Sequence, residues 1–188
     1  KVKWHRPIQN KIKTISISKK NNRYYVYFYI EIPISPISKT GKQIGIDLGL
    51  ESFLVTSDEL YIDSPKYFKK SKDKLKYTQQ RLSRRKNGSN RRKKARHLVA
   101  KVHEKIANQR RDFHHKITRM LVNENDVIVI EKLQIKNMIK NLHLAKSIAD
   151  AGWGQFVQIL KYKAEEAGKQ VIEVDPKNTS QICSICGN

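Results

Sequence analysis

An α/β fold with a mixed sheet, interrupted by a basic helical hairpin, is what the sequence predicts, and three observations predict it. Short runs of β-forming residues lie on both sides of a long helical block. That block holds most of the positive charge. After it come a strand, a helix and a strand, so the whole order is a β-meander, a helical hairpin, then strand, helix, strand. The chain has 188 residues and a formal net charge of +22, with a mean hydropathy of −0.66. No apolar run approaches the ~20 residues of a spanning helix, which excludes a membrane span. A pI near 10.1 points to an anionic partner, nucleic acid before an acidic lipid surface.

The elements follow in order. Ile12, Thr14, Ser16 and Ser18 alternate with Lys13, Ile15 and Ile17; a Lys-Lys-Asn-Asn turn covers 19–22; and Tyr24, Val26, Phe28 and Ile30 alternate with Tyr25, Tyr27 and Tyr29. This predicts a hairpin with one apolar and one tyrosine-rich face. Residues 35–42, holding Pro36 and Gly41, read as a linker. Residues 43–50, 53–55 and 60–62 then predict three short strands joined by tight turns. Asp126-Val127-Ile128-Val129-Ile130-Glu131 is another strand, its four consecutive apolar β-formers implying burial on both faces. A helix from Trp153 to Ala167 ends at Gly168, and Val171 to Val174 form a last strand stopped by Asp175-Pro176.

The charge is not spread evenly. Residues 66–119 carry 21 basic and 3 acidic side chains, a local excess of +18, while residues 120–188 are neutral. Within the block, Ala95, Leu98, Val99, Val102, Ile106, Phe113, Ile117, Met120 and Leu121 recur at three- and four-residue steps, the apolar stripe of one long helix. A thinner stripe from Leu75 and Leu82 marks an earlier helix over about 69–86. Asn87-Gly88-Ser89-Asn90 is the turn between them, with Asn90 as the expected cap. Arg81, Arg84, Arg85, Lys86, Arg91, Arg92, Lys93, Lys94, Arg96, Arg110 and Arg111 are the candidate nucleic-acid contacts. Such clusters would repel one another across a short turn without a polyanion nearby.

Asp47 and Glu131 each sit at the C-terminal end of a hydrophobic strand. If those strands are neighbours at the sheet centre, both carboxylates meet, and a divalent cation offsets their repulsion. Gly45 and Gly49 flank the first acid without side chains, leaving room for a phosphate backbone. Such a site suits phosphodiester hydrolysis with two Mg²⁺ ions about 3.5–4 Å apart. Two strand-end acids that only cap loops are the plainer alternative.

Several stretches resemble the TnpB family of prokaryotic insertion-sequence accessory proteins. They are 45–50 (Gly-Ile-Asp-Leu-Gly-Leu), 80–92, 103–113, 129–133 (Val-Ile-Glu-Lys-Leu), 144–156 and 178–187 (Asn-Thr-Ser-Gln-Ile-Cys-Ser-Ile-Cys-Gly), in the family order. The resemblance implies an RNase H-like, RuvC-type nuclease core, with a mixed sheet, over 41–65 and 120–176. It also implies a basic helical insertion over 66–119 lying along a guide–target heteroduplex, and a partial wedge-like β-barrel over 1–40. A zinc ribbon would begin at 177–188. The implied activity is RNA-guided DNA cleavage, with guide RNA and target DNA as partners, in a prokaryotic cytoplasm. Asp47 then stands in the Asp-x-Gly motif and Glu131 in the Ile-Glu motif, as Mg²⁺ ligands. The protein would read the heteroduplex through its backbone and leave sequence to base pairing.

Two departures from the family qualify this. The ribbon has two Cys-x-x-Cys pairs, and only Cys183 and Cys186 are present, half of a four-ligand Zn²⁺ site. The third family acid is also missing, with Asp175 the nearest surrogate. The expectation is therefore a chain cut at both ends that does not cleave by itself. Two rival classes remain: a catalytically silent nucleic-acid binder, and a DDE-type transposase acting on DNA ends without RNA.

Overall fold

The computed structural model describes residues 3–4, 7–33 and 36–175, and the chain divides into two compact units, Lys1–Ile34 and Ser35–Asn188. The smaller unit is an antiparallel hairpin of β1 (Ile12–Lys20) and β2 (Arg23–Ile30). Its turn is Asn21-Asn22, both at positive φ, 49° and 63°. A two-residue turn that matches the strand twist needs two left-handed residues, and asparagine tolerates that conformation. The strands therefore run through Lys19 and Lys20, which the sequence had placed in the turn. Ile15 pairs with Phe28 and Ile17 with Val26, while Ser16 faces Tyr27 and Ser18 faces Tyr25. The apolar and tyrosine faces are thus the two predicted ones. Among the described residues this unit has no third strand, so the barrel expectation gains nothing from it.

The larger unit is built on a five-stranded mixed sheet. Its strands are β3 (Gln43–Asp47), β4 (Ser52–Thr56), β5 (Tyr61–Asp63), β6 (Val127–Glu131) and β7 (Gln170–Val174), in spatial order β5-β4-β3-β6-β7. β3, β4 and β5 pair antiparallel, whereas β6 lies parallel to both β3 and β7. The predicted hairpin, α1 (Tyr67–Ser83) and α2 (Asn90–Glu124), is inserted between β5 and β6. Between β6 and β7 come α3 (Ile135–Met138), α4 (Leu142–Ala151) and α5 (Trp153–Glu166). The sequence stripe predicts only the last of these three. α3 and α4 are short, and their few apolar positions give no sustained period.

Alternation along the central strands decides where the core lies. Ile44, Ile46, Ile128 and Ile130 are buried on one face. They join Leu121 and Val122 of α2, Ile148 of α4, and Phe156, Leu160 and Ala164 of α5 in one cluster. Val127 and Val129 project to the other face and are only half-buried. The expectation of burial on both faces is therefore corrected: the β-branched run reflects strand propensity as well as burial.

The hairpin has its own smaller cluster, Leu75 of α1 with Val102 and Ile106 of α2, flanked by Tyr67, Phe68 and Val99. Leu98, placed in the predicted stripe, is 37% exposed, and the stripe instead continues through fully buried His114 and Thr118. Ser89, not Asn90, caps α2, its hydroxyl accepting from the Arg92 N–H at 3.1 Å. Asn90 is the first residue inside the helix.

Candidate functional site

The two candidate acids end adjacent parallel strands in register. Ile44 pairs with Ile128, Gly45 with Val129 and Ile46 with Ile130, so Asp47 and Glu131 occupy the next matched positions. Alternation puts both on the face opposite the isoleucines, together with Gly45 and Val129. Asp47 is exposed and Glu131 half-buried. The juxtaposition needs no side-chain preference beyond strand register. On the far side of β6, Val174 is the partner of Glu131, and Asp175 follows it at the same end of the sheet. Among the described residues no group of three or more His, Cys, Asp or Glu side chains is arranged to share a metal ion. As a donor set, two carboxylates at one sheet edge have the oxygen chemistry that Mg²⁺ prefers. Cys183 and Cys186, the candidate Zn²⁺ ligands, lie outside the described residues, as does the rest of the expected ribbon.

The two glycines beside Asp47 serve different ends. A Cβ on Gly49 would stand 2.8 Å from the Ser52 carbonyl oxygen, and the Gly49 N–H donates to Phe53 O at 3.3 Å. Gly49 is required by the tight β3–β4 turn, which is also why β3 stops at Asp47 instead of running to residue 50. A Cβ on Gly45 would meet only Ser57 Cβ, at an ordinary 3.8 Å. Nothing in the packing calls for glycine at 45, so the room it leaves on the acid-bearing face remains open to a ligand.

The basic candidates separate into two groups. Arg81, Arg84, Lys86, Arg91, Lys93, Lys94, Arg96 and Arg111 are exposed, and Arg85 is half-buried. Arg81, Arg84 and Arg85 line a groove of about 480 Å³ with Tyr77 and Gln80. Arg92 and Arg110 instead turn inward. Arg92 Nη1 donates to the Leu82 and Arg85 carbonyls at 3.1 and 3.0 Å, satisfying orphan acceptors where α1 ends. Arg110 Nη1 donates to Ala149 O at 2.7 Å, near the end of α4, and its Nε is buried without a partner. A sequence shows charge but not direction, and these two guanidinium groups are engaged in hydrogen bonds within the fold.

Around Arg110 the helices meet at a junction whose parts carry no role in the sequence reading. The Asp150 carboxylate accepts from the Phe68 N–H at 2.9 Å and the Lys69 N–H at 3.2 Å. It thereby caps α1 from a distance, where the chain's own N-cap, Lys66, makes no side-chain bond. His114 Nε2 lies 2.9 Å from Ala151 O, while its Nδ1 is buried and unpartnered. Burial is the main cause that lowers the His114 pKa to about 4, and Arg110 adds to it. The ring is therefore neutral near pH 7. Gly152, at φ 67°, ends α4 left-handed, and a Cβ there would sit 2.9 Å from Arg110 Cδ. In the sequence, Gly152 marks a break between two helices, but nothing local says what Asp150 or His114 meets.

Comparison with known proteins follows from this geometry. A family model described as a probable transposase, OrfB of IS605, matches residues 14–142, and a Cas12f1-like TNB domain model matches residues 153–188. A Streptomyces pristinaespiralis protein named as a candidate RNA-guided DNA endonuclease is 35% identical over 99% of this chain and 47% of its own length. Escherichia coli InsQ, named likewise, is 31% identical over 97% of this chain and 50% of its own. The chain thus spans about half the length of these relatives. A solved structure titled as a Cas12f1–sgRNA–target DNA complex superposes with a TM-score of 0.60 at 18% identity, covering 88% of this chain and 35% of that one.

Proposed function

We propose a function from one premise: this chain belongs to the OrfB/TnpB family of probable transposases. The reading is RNA-guided cleavage of DNA by metal-assisted phosphodiester hydrolysis, carried out in the cytoplasm of a prokaryote on a RuvC-like sheet. Guide RNA and target DNA are the partners. The carrying observation is the register that brings Asp47 and Glu131 side by side at the ends of β3 and β6, with the exposed arginines and lysines of α1 and α2 inserted between β5 and β6.

Each part of the chain has a role in this reading. Asp47 and Glu131 hold Mg²⁺, which when bound would polarise the phosphodiester and lower the pKa of an attacking water. Gly45 leaves space for the phosphate backbone to approach. The exposed face of the α1–α2 hairpin neutralises the backbone of a guide–target heteroduplex without reading its bases. Cys183 and Cys186 serve a zinc ribbon. The relatives' names and the superposed complex support the RNA-guided reading over a transposase that joins DNA ends.

The test is metal binding and cutting by the chain. Mn²⁺ affinity, read by water-proton relaxation, is expected to fall about tenfold or more in Asp47→Asn and in Glu131→Gln. Unchanged affinity in both would remove the site. With only two carboxylates brought together among the described residues, the 188-residue chain alone is expected to bind the ion without cutting. Guide-dependent cuts that vanish in Asp47→Ala would overturn that inactivity while keeping the site.

A further inference from the structure

The turn between α1 and α2 carries a chemistry that phosphate contact does not use. Asn87-Gly88 is the one asparagine–glycine step in the chain. The Ser89 N–H donates to Lys86 O at 3.3 Å, which makes Asn87 and Gly88 the central pair of a four-residue turn, with Gly88 at φ 77°. Both are exposed, and a Cβ on Gly88 would meet nothing within 4 Å. Among the described residues neither the Asn87 side chain nor the Gly88 N–H has a hydrogen-bond partner. Asn125 and Asn137, by contrast, donate to Leu121 O and Gln134 Oε1, and Asn141 accepts from the His143 N–H. Nor do Asn87 and Gly88 hold the helices together. Ser89 caps α2 and Arg92 bonds the Leu82 and Arg85 carbonyls, so a change at position 87 leaves those bonds in place.

We propose that Asn87 loses its side-chain amide spontaneously in the folded protein, and that the carboxylate left behind weakens the hold of the basic hairpin on a nucleic-acid backbone. The second half rests on the nuclease reading above; the first does not. The Gly88 nitrogen gives its proton to hydroxide and attacks Asn87 Cγ. A bond forms from Cγ to the Gly88 nitrogen, the bond from Cγ to the side-chain nitrogen breaks, and ammonia leaves with a proton taken from water. Water opens the resulting five-membered imide at either carbonyl, giving aspartate or isoaspartate at position 87. No oxidant or reductant enters. Glycine matters because a side chain on the attacking residue would crowd the ring closure, and an exposed turn lets hydroxide and water reach it. Positive charge lowers the cost of the amide anion. Arg84, Arg85 and Lys86 immediately precede the step, and Arg91, Arg92, Lys93 and Lys94 follow closely. The product is a charge of the wrong sign for its place, since no Asp or Glu lies between Asp73 and Glu104. A carboxylate there offsets part of the phosphate-neutralising charge of its neighbours, and counterion release falls with it.

The experiment ages the full 188-residue chain in mildly alkaline buffer, folded and in urea, and follows each asparagine by peptide mass mapping, with released ammonia as a second measure. Asn87 is expected to gain about 1 Da. In the folded chain it should convert at least about tenfold faster than Asn22 or Asn90, and no more than about tenfold slower than in urea, because an exposed turn offers little protection. A folded chain that keeps Asn87 intact while the unfolded chain converts would overturn the proposal, as would conversion of Asn22 or Asn90 at the same rate. Asn87→Gln should stay unmodified, since its longer side chain closes a less favourable ring. For the second half, fluorescence anisotropy at physiological salt with an RNA–DNA hybrid duplex compares fresh and aged protein. Aged wild type should bind about threefold or more weakly, and aged Asn87→Gln as tightly as fresh. Conversion with unchanged affinity would overturn the second half and leave the modification standing. Neither readout involves metal or cutting, so a failure of the Asp47 and Glu131 site would appear in the Mn²⁺ measurement alone.

Discussion

The outer and inner halves of α2 do different work and differ in charge: residues 90–106 carry seven Lys or Arg and one acid, residues 107–124 four and two. The outer half, from Asn90, rests on α1 through Ala95, Val102 and Ile106 and holds Arg91, Lys93, Lys94 and Arg96 out to solvent. The inner half carries His114, Thr118, Leu121 and Val122, all buried and none more than 1% exposed. There Phe53 packs on Phe113, His114 and Phe156 with ring centroids 5.0, 5.4 and 5.2 Å apart. Lys163, buried on α5, donates to Thr118 Oγ1 at 3.1 Å, and burial lowers its pKa. A helix can therefore be an anchor at one end and a charged arm at the other. The lesson is that the more heavily charged end is the arm and the less charged end holds the fold.

This contrast gives predictions of graded size. The largest is Leu121→Ala at the root, which removes a side chain that is 1% exposed. It should cost about 2–5 kcal/mol in urea unfolding. Next comes pH. The native His114 pKa of about 4 lies below its ordinary value of 6.5, so between those values the unfolded chain binds more protons. Stability from this residue is present above pH 6.5 and is lost as pH falls toward 4, by roughly 3 kcal/mol. His114→Gln should flatten that part of the Tm–pH curve relative to wild type; an identical curve would mean the ring is not held neutral. Val102→Ala in the outer cluster should cost only about 1–2 kcal/mol. A loss there as large as at Leu121 would erase the distinction between the halves. The smallest effect belongs to Lys93→Ala/Lys94→Ala. Stability should stay within about 0.5 kcal/mol, while the salt dependence of hybrid-duplex binding should flatten by about one unit of slope per lysine.

Legibility differed by element. The strands at 43–47 and 127–131 could be read from their β-forming runs, and the hairpin helices from the long α2 stripe and the turn at 87–90 that separates it from the thinner α1 stripe. α3 and α4 could not, because ten residues or fewer with scattered apolar positions give no period. Asp47 and Glu131 were visible as carboxylates ending hydrophobic strands. Asp150 was not, because its role is to cap a helix some 80 residues earlier in the chain, and no local pattern encodes that. Lys169 and Asp126 are a similar case: they pair with each other, and Asp126 also accepts from the Thr40 and Gly41 N–H groups at 3.0 and 2.7 Å. The Lys169 ammonium, first, and these amides hold the carboxyl of Asp126 well below its usual range. The pair fastens the segment before β3 to the start of β6, which only the folded chain brings together.

By itself, then, the sequence determined the α/β class, the position of the basic insertion and the identity of the two strand-end acids. Each is a local property: a hydrophobic period, a count of charges, or a residue type at an element's end. Tertiary structure alone decided that β3 and β6 are parallel neighbours in register, that Arg92 and Arg110 bond within the fold while their neighbours face out, and that Asp150 meets the first turn of α1. Those facts depend on distant segments meeting, and the free energy that selects the meeting comes from burial and hydrogen bonding across the whole unit rather than from any one stretch of residues.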